Sequence, residues 1–266
     1  MDIFSLILSV VQAAGLAIIN LYTFFGASTK STQVYGPHPR QVLDWYMGNG
    51  EDRPLVIFFY GGNWQAGRRS DYRFVAESLL DIGFDVVIPD YRLFPEVRFG
   101  EIIADARASV DHILGQRDKR VFLMGHSAGA QLAALLTLDS HRDHILGFIG
   151  VAGPYDFYPF TEKTHWTIFA PASDYCKSQP VNYVNPLAPP LYLLHGGNDT
   201  RVRRGHSKSL MEKQRKVGGK AEREVYASMG HIGIILSFSR FRRHRSAVIS
   251  DIRRFIENEI RECGFD

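Results

Sequence analysis

The chain has 266 residues, 45% of them hydrophobic, and a formal net charge of +3, which is enough apolar material for one large α/β domain with a full core. Basic residues are scattered apart from short groups at Arg201–Arg204 and Arg240–Arg245, with no aromatic-interleaved basic module beside them, so composition argues against nucleic acid as a partner. Cys176 and Cys263 are the only cysteines and have neither CxxC nor Cys/His spacing, which excludes a disulfide framework and a zinc site. In chain order the first element is the uncharged stretch 3–25, "IFSLILSVVQAAGLAIINLYTFF". As an unbroken helix it would reach about 34 Å, the thickness of a bilayer core. Ser5, Ser9, Gln12, Asn20 and Thr23 fall on one narrow stripe of that helix, which suits a helix lying in an interface or packed on protein. Only Asp2 precedes it and no A-x-A site follows, so it is not a cleaved signal. The expectation is a retained membrane anchor over 1–30 ahead of a catalytic domain over 31–266, the alternative being an apolar helix docked on that domain. Lys30 and Arg40 on the far side of the segment favour a cytoplasmic over a periplasmic position for the domain.

Strands are expected at 41–47, 54–60, 84–93, 119–124, 144–151 and 190–196, those at 54–60 and 84–93 continuously apolar, with a last strand at 221–227. Helical patterns fall between them at 71–82, 101–115, 128–139 and 205–217, and an amphipathic helix closes the chain at 247–260. Alternation of this kind predicts an α/β fold: a mostly parallel central sheet with helices on both faces, and active residues on loops beyond the carboxyl ends of the strands.

One such end is "VFLMGHSAGAQLAALL", residues 121–136. A strand that turns within two or three residues into a helix strains its turn residue, and side chains two positions either side would collide unless they were hydrogen. Gly125-His126-Ser127-Ala128-Gly129 meets that requirement and lifts the Ser127 hydroxyl to a helix N-terminus. A serine hydroxyl needs a base in contact, itself oriented by an acid. "LLHGGNDTRV" puts Asp199 just past one buried strand, and "VYASMGHIGI" puts His231 just past the last. The order Ser, Asp, His is the one this architecture uses. Asp156 in "AGPYDF" also follows a strand and competes with Asp199, with shaping of the pocket floor as its other role. His126 should point away from the attack face, and His195 reads as a structural strand-end residue. The reaction also needs donors for an oxyanion. "FFYGGNW", 58–64, lets backbone N–H groups of Gly61, Gly62 or Asn63 face the cavity, with that of Ala128 beside them.

With these residues assembled, the region from about Gln33 to Cys263 resembles the α/β-hydrolase superfamily, in particular its carboxylesterase branch near the hormone-sensitive-lipase-like esterases and kynurenine formamidases. "YGGNW" is similar to the HGGxW or HGGG oxyanion loop of those families, and "PDYRLFPE" to their DYRL-x-PE segment. The resemblance implies a triad of Ser127, Asp199 and His231, and an oxyanion hole of Gly61, Gly62 and Ala128. Tyr60 stands where those families usually have a histidine that braces the loop, a departure that bears on subfamily and substrate more than on chemistry. An apolar N-terminal segment ahead of such a domain also resembles the membrane-bound isoprenylcysteine methylesterases.

A short lid is expected at about 155–189. Its first part, "YDFYPFTEKTHWTIF", is dense in aromatics, and with Trp64 it nominates Phe157 and Trp166 as substrate contacts. The expected activity is a serine carboxylesterase acting on small or medium acyl or aryl esters through an acyl-enzyme, with no metal or organic cofactor. Arylformamidase activity on N-formylkynurenine is the enzymatic alternative, and a ligand-binding protein on a hydrolase fold is the non-catalytic one.

Overall fold

A computed structural model describes residues 29–50, 52–116, 120–140, 142–243 and 246–264. The expected anchor at 3–25 lies outside these residues; among the described residues no helix is long and apolar enough to cross a membrane.

Among the described residues eight strands form one sheet: β1 (Thr29–Val34), β2 (Val42–Met47), β3 (Leu55–Phe59), β4 (Asp85–Pro89), β5 (Val121–His126), β6 (Ile145–Val151), β7 (Leu191–Gly196) and β8 (Ala221–Tyr226), in the order β1-β2-β4-β3-β5-β6-β7-β8. β1 and β2 pair antiparallel, as do β2 and β4, and every later pairing is parallel. Strands β3 to β7 are buried along their whole length, so both sheet faces are covered; this is why they read as unbroken apolar runs and not as alternation. The covering helices are α1 (Arg73–Leu80), α2 (Phe99–Leu114), α3 (Ala128–Leu135), α4 (Lys163–Ile168), α5 (Gly205–Lys216), α6 (His231–Leu236) and α7 (Val248–Glu262).

Three departures from the sequence expectations have local causes. The sheet starts at Thr29, two residues ahead of the expected domain start, because "TKSTQV" is a polar edge strand with no buried face to announce it. The helix expected over 128–139 is regular only to Leu135 and then widens into a π turn over Leu136–Ser140. The helix expected over 71–82 is entered through a tight turn at Arg69–Tyr72 and is regular over Arg73–Leu80.

The topology fixes where chemistry can occur. From β3 the chain moves outward to β4, whereas from β5 it moves the other way to β6, so the loops leaving β3 and β5 diverge at their carboxyl ends and open a crevice between them. The loop after β3 carries Gly61 and Gly62; the turn after β5 is Ser127.

Candidate active site

Ser127 has φ +54 and ψ −124, a left-handed conformation for a residue with a side chain, between the last residue of β5 and the first of α3. The glycines around it are steric necessities. A Cβ on Gly125 would run into the Gly129 backbone, and one on Gly129 into the carbonyls of Phe59 and Tyr60 at the end of β3. Without those two hydrogens the helix could not start so close to the sheet.

The three residues picked out at separate strand ends converge. His231 opens α6 and is 8% exposed; its Nδ1 lies 2.8 Å from Asp199 Oδ2 and its Nε2 2.9 Å from Ser127 Oγ. A carboxylate only accepts, so Nδ1 carries the hydrogen and the Nε2 lone pair faces the hydroxyl. The second oxygen of Asp199 accepts the backbone N–H groups of Arg201 and Val202, both at 2.9 Å. Burial pushes the Asp199 carboxyl up, but bonding to His195 and His231 outweighs it and holds the group well below the usual carboxylate range. Asp199 is thus held ionised, and the line has the geometry for a proton to pass from Ser127 Oγ to His231 Nε2.

Asp156, the competing acid, is committed elsewhere: Ser209 donates a hydrogen bond to it and the Lys213 ammonium is 3.6 Å away, both on α5. His195 is closer to the chemistry than a strand-end role implied. Its Nε2 donates to the Val202 carbonyl at 2.8 Å and lies 3.4 Å from Asp199 Oδ2, bracing the acid from behind. His126 packs its ring 5.0 Å from that of His231, and its Nε2 donates to the His231 carbonyl at 3.3 Å. His126 finds its partner 105 residues away, which no sequence spacing marks, whereas His195 meets Asp199 and Val202 within the turn that follows its own strand.

Gly61 rests directly against Ser127: a Cβ there would sit 2.9 Å from both His126 Nδ1 and Ser127 Cβ. Gly62 has φ +142 and would drive any Cβ into the Ala66 carbonyl. Ala128 is buried as the first residue of α3, beside Ser127. Of the expected oxyanion residues, Gly61 and Ala128 therefore flank Ser127, and Gly62 follows Gly61 in the same loop.

Tyr60, in the place of the usual histidine, takes over the bracing role. It is fully buried, stacked between Tyr91 at 4.8 Å and Tyr72 at 5.6 Å, and its hydroxyl donates to Asp90 Oδ1 at 2.7 Å. Arg40, from the link between β1 and β2, donates to that hydroxyl at 2.9 Å, to the Gly67 carbonyl at 2.8 Å and to the Tyr91 carbonyl at 2.8 Å. Arg69 closes the far side of Asp90 through a 2.6 Å contact and reaches Asp44 at 3.0 Å.

Over the crevice lies the excursion between β6 and β7, within the 155–189 span expected as a lid. Trp64 is 2% exposed and stacks on Phe157 at 5.7 Å, with Phe169 edge-on at 4.8 Å. Trp166 sits on the outer side of the same cluster, 40% exposed, against Phe160 and Tyr175.

Comparison with known proteins agrees with the fold. The BD-FAE family model matches residues 43–214, a span holding Gly61, Gly62, Ser127 and Asp199 and stopping short of His231. The chain is 26% identical over 250 residues to isoprenylcysteine alpha-carbonyl methylesterase of Arabidopsis thaliana, covering 80% of this chain and 58% of that one. It is 33% identical over 134 residues to kynurenine formamidase of Danio rerio, 47% of this chain and 46% of that one. It thus spans little more than half of the first relative and less than half of the second. In fold it is similar to a sugar hydrolase from Lactococcus lactis, with a TM-score of 0.76 at 19% identity over 88% of this chain and 99% of that one. A parallel sheet whose crossing point carries a strained Ser127 facing His231, together with the family match over most of the domain, means that the chain belongs to the BD-FAE family of α/β-hydrolases.

Proposed function

We propose that the protein is a serine carboxylesterase acting on small or medium acyl or aryl esters. The observation that carries this reading is the hydrogen-bonded line from Ser127 Oγ through His231 to Asp199, with the Gly61–Gly62 loop behind the serine. His231 Nε2 takes the hydroxyl proton as Ser127 Oγ adds to the ester carbonyl, and the N–H groups of Gly61, Gly62 and Ala128 receive the oxyanion. Collapse of the tetrahedral adduct breaks the bond to the alcohol, which leaves with the proton from His231. A water then loses its proton to the same histidine, attacks the acyl-enzyme and releases the acid. Trp64 and Phe157 supply the apolar wall for the acyl group, with Trp166 at its outer edge. The alternative substrate, N-formylkynurenine, has a specific motive in the likeness to kynurenine formamidase; the same steps would cleave its formamide bond.

The test is a panel of acyl esters of graded length plus N-formylkynurenine, with a fluorophosphonate probe. We expect turnover of short and medium esters and a single phosphonylated peptide containing Ser127, with Ser127→Ala losing both adduct and about 10⁴-fold or more of the turnover while remaining folded. Retention of most of the turnover in Ser127→Ala would remove the nucleophile assignment. Faster turnover of the formamide than of any ester would select the alternative.

A further inference from the structure

The loop behind the nucleophile is under strain. Asn63 and Trp64 follow Gly62 with φ of +53 and +59, two successive residues with side chains in the left-handed region. Such backbone persists only where its surroundings over-determine it, and here the surroundings are two other segments. The Trp64 indole Nε1–H donates to Gln131 Oε1 at 3.1 Å, while the Gln131 amide Nε2–H donates to the Ser178 carbonyl at 2.6 Å. Asn63 Oδ1 meets His165 Nε2 at 3.0 Å, a second tie between the loop and the β6–β7 excursion.

Gln131 is the unusual member. It sits on α3, one turn after Ser127, with no exposure at all, among Ala130, Leu132, Ala133 and Ala134. A buried amide is costly unless its bonds are made, and an apolar side chain of the same volume would fill the space with less penalty. Both halves of this amide are used, and its partners belong to different segments: the loop behind Ser127 and the excursion over the crevice. The contacts that Trp64 makes on its ring, to Phe157 and Phe169, belong to the same excursion.

We propose that Gln131 is a positioning residue that couples the excursion to the oxyanion loop, so that a group seated against the excursion's aromatics and the donors that receive its carbonyl are set together. The proposal rests on the esterase reading of Ser127, and it has a specific consequence for substrate choice. An acyl group that presses on Phe157 and Phe169 acts on Trp64, and through Gln131 on the geometry of the loop; its fit is therefore expressed in kcat more than in KM.

The test uses the full chain with Gln131→Met, which keeps volume and helix preference but removes the amide, Trp64→Phe, which removes the indole donor and part of the ring while keeping an aromatic face, and the double variant. Each single change should lower kcat about tenfold for medium acyl esters with KM altered less than threefold. The double should remain near tenfold and not approach a hundredfold, because the Trp64–Gln131 bond is already lost in each single change. Hydrogen exchange supplies a readout independent of turnover: Gln131→Met should speed exchange at residues 63–66 and 175–180 together while β5 stays protected. If Gln131→Met does not fold, Trp64→Phe alone must still show the kcat loss and faster exchange at 175–180. Additive losses, an unchanged kcat well below the melting temperature, or exchange confined to α3 would each overturn the proposal. Loss of the esterase reading would appear separately, as turnover that survives Ser127→Ala.

Discussion

His126 shows how much the site asks of single residues. Burial, followed by the nearby His231, pushes its imidazole down to about 3, and with Nε2–H on the His231 carbonyl its buried Nδ1 has no hydrogen-bond partner among the described residues. The folded protein therefore keeps this ring neutral down to about pH 3, whereas the unfolded chain protonates it at about 6.5. Above 6.5 neither state is charged there and the stability is complete; below it the unfolded state binds the extra proton and stability falls as the pH drops, by up to about 1.4 kcal/mol per unit. His165 and His206 are lowered by burial as well and add to the same slope. We expect His126→Asn to flatten, without abolishing, the fall of the urea midpoint between pH 6.5 and 4.5; an unchanged slope would place the acid sensitivity in other groups. At this scale the convergence of Ser127, Asp199 and His231 was legible because each stands just past a strand end, in an order the chain itself displays. His126 and Gln131 were not, since a buried polar residue announces a distant partner only when the segments are brought together; His195 lies four residues before Asp199, yet nothing in the strand pattern says that its ring turns toward the acid.

At the scale of elements, the loop 61–67 and the start of α3 behave as one construction. Gly62 combines φ +142 with an approach to the Ala66 carbonyl that leaves no room for a side chain. Gly62→Val should shift the loop and cost about 10²–10³-fold in kcat, the scale of losing one oxyanion donor, with a much smaller change in KM. Steady-state kinetics on one soluble ester would decide; a raised KM at constant kcat would make the loop a pocket wall only. The strands β3 to β7 were readable to within a few residues because they are buried on both faces and bounded by Gly, Pro or Asp. The polar strand β1 and the six-residue helices α4 and α6 carry too few residues for any periodicity to register.

The whole molecule puts all the loops of interest at one end of the sheet, which alternation of strands and helices foretells, while the antiparallel pairing of β1 with β2 depends on an edge that sequence patterning does not reveal. The described sheet begins at Thr29, so removal of residues 1–28 takes away none of its strands. If the uncharged stretch 3–25 anchors the protein, that truncation should leave hydrolysis of soluble short esters intact and move the protein from the membrane fraction to the supernatant. Lost solubility or a lowered melting temperature would instead mark the segment as a helix docked on the domain. The arginine that joins β1 to the aromatic stack under the oxyanion loop carries a further implication for heat. Arg40 belongs to the link between two strands at the sheet's edge, the part of a domain that opens with the smallest free energy, yet it holds Tyr60, Gly67 and Tyr91 around the loop that follows β3. Warming would therefore unfasten the floor of the site while the central strands remain closed, so that catalysis fades ahead of melting and returns on cooling as long as the core has held.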